Sequence, residues 1–173
     1  MLFRSDTAWV LTATALVLLM TLPGLALFYG GLVRSKNFLS VLVQCMAIAA
    51  ICSVLWVVVG YTLAFGQVTS GFLGNGINWM FQNLGNVREG TSVPESTFAM
   101  FQMTFAVITP ALMVGAWVDR ERLGWVVAFS ALWLRVVYAP VTHWVWCGGW
   151  LRGVGAVSFA GGTVGRPPAG VPA

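Results

Sequence analysis

Four long apolar stretches, each of membrane-spanning length and set apart by polar punctuation, constrain this chain more than any other feature. They run over residues 8–33, 39–65, 98–118 and 124–145. The hydrocarbon core of a bilayer takes about 20 apolar residues in helical form, so each stretch is long enough to cross once, with some tilt. The expected fold is an all-α polytopic membrane protein with the lipid bilayer as its solvent. The functional question becomes what crosses, and which side chains choose it.

Composition agrees. Of 173 residues, 58% are hydrophobic and 8% charged, whereas a soluble domain is about 25% charged. A soluble fold of this length has no interior large enough to hide so much apolar surface. The net charge of +4 comes from scattered basic residues, not a patch, so nucleic acid is not an expected partner. Cys45, Cys52 and Cys147 sit in or beside apolar runs without metal-like spacing and read as small buried hydrophobes. No cofactor is implied. The first stretch is too long for a signal-peptide core and lacks a clear small-residue cleavage site, so it reads as a true span.

Charge sets the orientation. Arg34 and Lys36 occupy the link between the first and second spans, and Arg120 and Arg122 the link between the third and fourth. Short loops rich in Lys and Arg stay cytoplasmic, which puts the N-terminus, residues 66–97 and the end of the fourth span outside. Arg4, Arg88 and Arg152 then lie outside, a scattered dissent that does not overturn two paired signals. Within the long outer link, Ile77–Leu84 can form a short amphipathic turn on the membrane surface.

Glycines at 24, 30, 31, 60 and 115 offer places for helices to approach closely. Pro110 and Pro140 interrupt the third and fourth spans, and the carbonyls they free require kinks that face protein or water, not lipid. Arg135 falls near the middle of the fourth span, where a charge costs at least about 2.5 kcal/mol. No acid in the four spans can pair with it. Either it meets backbone carbonyls and water inside the protein, or it is a defect, and the missing acid favours the second.

Few residues are placed to carry chemistry. Phe101 and Phe105 are four apart, hence on one face of the third helix near its outer end. Trp144, Trp146 and Trp150 gather at the outer end of the fourth, with His143 beside them. Aromatic rings around a common cavity hold a small cation through their quadrupoles. Trp at a membrane interface is equally the ordinary anchoring belt, and periodicity alone favours the belt. A catalytic pairing of His143 with Cys147 lacks an orienting acid nearby, so the chain is not expected to be an enzyme.

Specific phrases narrow this further. Pro23-Gly24 precedes Leu25-Ala26-Leu27-Phe28-Tyr29-Gly30-Gly31-Leu32-Val33-Arg34, and Ser35-Lys36-Asn37 follows it. Later come Phe101-Gln102-Met103-Thr104-Phe105-Ala106, Thr109-Pro110-Ala111-Leu112 and Gly115-Ala116. Tyr138-Ala139-Pro140-Val141, His143-Trp144-Val145-Trp146, Gly148-Gly149-Trp150 and Phe159-Ala160-Gly161-Gly162-Thr163-Val164 complete the set. In order and spacing these phrases resemble the ammonium transporter family, relatives of the Rhesus proteins, over residues 1–164.

The resemblance implies eleven helices, the first ten in two inverted repeats, of which the four spans here and an aborted fifth would be most of the first. It implies a homotrimer in the plasma (inner) membrane that conducts through each protomer, with ammonium or methylammonium as ligand. Phe101, Phe105 and Trp146 match the family's outer recruitment site, where ammonium is held by cation–π contact. Phe105 also matches one of two stacked phenylalanines that gate the pore. For these three residues the resemblance favours the cation site over the belt.

Two departures stand beside the matches. The family's aspartate before Phe-Ala-Gly-Gly is Ser158 here, and the position expected for the first pore histidine holds Arg166. From Gly165 the sequence turns Pro-rich, reading Arg166-Pro167-Pro168-Ala169-Gly170-Val171-Pro172-Ala173, which is expected to stop the fifth helix. Such a change is what a shifted frame or a truncated gene would produce. Residues 165–173 are therefore expected to form a non-family tail, and the chain to be a fragment that does not conduct alone. The alternative is an assembly or regulatory subunit that joins full-length ammonium transporters.

Overall fold

In the computed structural model, residues 2–67, 74–88, 90–117, 120–147, 150–155 and 162–170 are described. Four helices are long and apolar enough to cross a membrane: Arg4–Leu32, Ser35–Phe65, Glu95–Trp117 and Leu123–Trp146. The first three begin a turn before the apolar stretch does. The reason is local: Ser35–Asn37 is a 3-10 turn leading into the second span, and Glu95 sits in the first turn of the third, where a carboxylate meets the positive end of the helix dipole. Hydropathy does not register such polar starts.

The third span is the centre of the bundle. Of its apolar window 61% is buried within the protein, against 17% for the first span. The second span packs on it, and also on the first and fourth, burying Val41, Cys45, Ile48, Cys52 and Trp56 as a stripe at helical spacing. The Trp56 indole N–H donates to the Ala99 carbonyl at 3.1 Å, and the Tyr29 hydroxyl donates to that of Leu112 at 2.8 Å. These bonds tie the second and first spans to the third. At Gly115 an added Cβ would stand 2.6 Å from Tyr29 Cε1, so only glycine admits that ring, while Gly31 faces open space. The cysteines at 45 and 52 are buried, and none of the three is in a disulfide.

Prolines are accommodated in two ways. Pro23 lies inside a π-helical turn, Met20–Leu25, and Pro140 comes two residues after another, Leu134–Tyr138. The wider turn gives room for the ring and for the carbonyl it would otherwise strike. Pro110 has no such turn. It is buried against protein, and the neighbouring Thr109 hydroxyl donates to the Phe105 carbonyl at 2.7 Å. Arg135, on the last π-helical turn, is exposed beside Val136, and among the described residues it has no ion pair. The reading that placed it among carbonyls inside the protein does not hold.

In the link after the second span, where a short turn over Ile77–Leu84 is expected, Gly76–Phe81 is 3-10-like but kinked, with non-helical backbone angles at Asn78, Trp79 and Met80, and Ile77, Trp79 and Met80 are exposed. The expectation that the Pro-rich tail cannot be helical is corrected: Gly162–Gly170 is a helix with both Pro167 and Pro168 inside it. Proline's fixed φ is compatible with helix, but Pro167 and Pro168 are its sixth and seventh residues, past the first turn, so each removes a backbone donor there. Packing supplies what the missing bonds do not. Val164 and Ala169 are buried, against the third and fourth spans. Ser158 lies outside the described residues.

Candidate functional site

The end of the second span, the start of the third and the end of the fourth meet at one side of the bundle. There Phe65, Arg88, Phe98, Gln102 and Trp146 line an open hollow of about 270 Å³. Phe65 is its hub. Trp146 stacks on it with centroids 6.3 Å apart, and Phe98 meets it edge-on at 5.1 Å. Gln102 stands one helical turn beyond Phe98, and its side-chain oxygen is buried with no hydrogen-bond partner.

A strap from the long link reaches into this group. An isolated antiparallel bridge pairs Val87 with Pro94, with Arg88 N–H donating to the Val93 carbonyl and Glu95 N–H to that of Asn86. It fixes the root of Arg88, whose Nη1 donates to Glu95 Oε1 at 2.9 Å. The Tyr61 hydroxyl donates to the same carboxylate oxygen. The guanidinium carbon then stands 3.9 Å from the Phe98 ring centre and 5.2 Å from that of Phe65.

The residues expected from sequence fall into two groups. Trp146 is in the hollow. Phe101 and Phe105 form an edge-to-face pair, 5.1 Å between centroids, half-buried on the face of the third span that also carries Phe98 and Gln102. The tryptophan cluster splits: Trp144 turns to Trp150, at 6.0 Å, while Trp146 turns to Phe65. His143 is fully buried, its Nδ1 3.1 Å from the Ala64 carbonyl, so that nitrogen carries the proton and the ring fastens the fourth span to the second. No cluster of His, Cys, Asp or Glu suited to a metal occurs among the described residues.

Chemically the hollow offers aromatic faces, which attract a cation, and an unused amide oxygen, which accepts a hydrogen bond. That pairing suits a small monovalent cation with N–H groups. Comparison with known proteins points the same way: the profile described as Ammonium Transporter Family matches residues 8–171. The chain belongs to the ammonium transporter family.

The ammonium transporter of Bacillus subtilis is 46% identical over 169 residues, covering 96% of this chain and 41% of that protein. That of Aquifex aeolicus is 44% identical over 167 residues, covering 96% of this chain and 40% of its own length. The crystal structure of Candida albicans Mep2 superposes with a TM-score of 0.83 at 38% identity, covering 93% of this chain and 36% of that one. The chain thus spans about 40% of the length of the curated relatives it matches. Those relatives are transporters, not enzymes.

Sequence reasoning about this ammonium transporter family chain missed Phe65, Arg88, Phe98 and Gln102. Phe98 and Gln102 were within reach, since they share helical spacing with Phe101 and Phe105. Phe65 and Arg88 carried no local signal. They meet only through the folded link.

Proposed function

We propose that the chain recruits ammonium, or methylammonium, at the outer mouth of an ammonium transport pathway in the plasma membrane, with its N-terminus outside. The observation that carries this reading is the hollow lined by Phe65, Arg88, Phe98, Gln102 and Trp146, in which the Gln102 side-chain oxygen has no hydrogen-bond partner. Trp146 belongs to the recruitment site. Phe101 and Phe105 line the way beyond it, with Phe105 as the gate.

The physics favours ammonium over potassium. The two ions are similar in size and charge, so charge alone does not separate them. Ammonium also donates directional hydrogen bonds and can give up a proton. Aromatic walls replace part of its water shell, worth about 0.5–2 kcal/mol per ring depending on desolvation. An acceptor such as Gln102 uses the donors that potassium lacks. Beyond a ring gate, a neutral molecule crosses at far lower cost than an intact ion.

These 173 residues do not conduct by themselves on this reading, because a conducting path needs walls on all sides and the first and fourth spans leave most of their surface open. The outward residues Leu16, Leu19, Leu27 and Phe28 are available to lipid or to neighbouring protomers of a homotrimer. They are also what the alternative reading, a subunit that associates with full-length transporters, would use. Uptake of labelled methylammonium by cells lacking their own transporter is the test. No uptake by this chain is expected, and robust uptake overturns the non-conducting reading. Co-purification with a full-length relative would favour the assembly role.

A further inference from the structure

The outer hollow already holds a cation. Arg88 lies over Phe98 and Phe65, pinned by Glu95, yet its side chain is 24% exposed and so not sealed in place. If this arrangement were only a structural clasp, the polar groups around it should be used up. They are not: the Gln102 oxygen, in a residue only 8% exposed, has no hydrogen bond with Arg88 in place, and although Gln44, Ser130 and Tyr138 also bury an unpaired oxygen, that of Gln102 is the one in the same hollow as the guanidinium. A buried acceptor left unpaired is costly, and it marks room for a donor that Arg88 does not supply.

We propose that Arg88 is a built-in occupant of the hollow, a guanidinium that rests on the aromatic wall until an incoming N–H-bearing cation displaces it. The consequence for transport rests on the function proposed above; the occupancy itself does not. The competitor is matched to the site, because a planar guanidinium covers a ring face better than a compact, strongly hydrated ammonium does. Glu95 stands ready for it on release. Its carboxylate already bonds Arg88 and the Tyr61 hydroxyl, so the displaced side chain keeps a partner outside the rings. Arg88 would thereby set the threshold for entry. A cation must offer both charge and hydrogen-bond donors to exchange with it.

The experiment uses the purified chain in lipid nanodiscs, titrated with guanidinium ion and, separately, with methylammonium. Binding is followed by tryptophan emission, subtracting the same titration on a Trp146→Phe background. Arg88→Gln is expected to bind guanidinium about tenfold more tightly than the parent, the factor of one displaced cation–π contact. That gain should persist in 1 M salt, where the Debye length is about 3 Å and long-range repulsion is screened. Equal affinity in the two proteins, or a gain that vanishes at high salt, overturns the proposal.

Arg88→Lys keeps the ion pair with Glu95 and covers for a variant that does not fold. It should gain about threefold, since an ammonium competes less well for the ring, and no gain counts against the occupant role. The two ligands separate the two ideas. A guanidinium gain without methylammonium binding in any variant sinks the recruitment function and keeps the occupant. Methylammonium binding that Arg88→Gln leaves at the parent level does the reverse.

Discussion

Trp146 lies over Phe65 with the two ring planes 22° apart, so the last residues of the fourth and second spans stand at one level of the membrane. Phe98, in the first turn of the third span, meets the same phenylalanine. Two ends and one beginning share a side, as alternating spans require. The links with Arg34, Lys36, Arg120 and Arg122 fall at the opposite side. An aromatic pair is worth about 0.5–1.5 kcal/mol beyond its area. Phe65→Ala and Trp146→Leu should therefore be non-additive by about that amount in a double-mutant cycle on methylammonium binding. Strictly additive losses would assign the two rings to separate sites.

The orientation is open to a direct check. A cysteine at Asn78, on the exposed turn of the long link, should react with a membrane-impermeant thiol reagent in intact cells, once the native cysteines are replaced. One at Ser35, beside Lys36, should react only after the membrane is opened. The inverse pattern would reverse the topology.

Gly115 and Gly31 should respond oppositely to the same change. At Gly115 an alanine methyl would lie 2.6 Å from the Tyr29 ring, displacing a hydroxyl that bonds the Leu112 carbonyl. Gly115→Ala is expected to cost about 1–3 kcal/mol of stability, read as thermal unfolding in detergent. Gly31 has no heavy atom within 4 Å of such a methyl, and alanine is the better helix former by about 1 kcal/mol. Gly31→Ala should be neutral or stabilising. Equal losses would remove the case for close packing at residue 115.

Trp56 joins the second and third spans through its N–H and meets Tyr61, Phe65 and Tyr138 edge-on. Trp56→Phe keeps an aromatic ring but leaves the Ala99 carbonyl without that donor. A loss of about 0.6–2 kcal/mol is expected in the same unfolding measurement. No change would show that the contact is made good elsewhere.

The spans were legible because lipid demands long apolar runs, and hydropathy records length. Their first turns were not, since Ser35–Asn37 and Glu95 are helical for reasons of hydrogen bonding and dipole. The terminal helix was misjudged because a rule about proline was applied without the packing of Val164 and Ala169. Of the three residues that the family phrases single out, Trp146 lines the hollow, while Phe101 and Phe105 pair with each other further along the third span. Arg88 looked like a stray outer charge because its partners, Phe65 and Phe98, come from two different spans. Contacts made by a folded link leave no periodic trace.

The most direct test of recruitment is a methylammonium titration of the purified chain in nanodiscs, with and without Trp146→Leu, and with potassium as the control ion. Saturable methylammonium binding that potassium does not displace, and that weakens at least about threefold in the variant, is the expected result. Binding that Trp146→Leu leaves unchanged, or that potassium displaces equally well, would contradict an aromatic mouth built for a hydrogen-bonding cation.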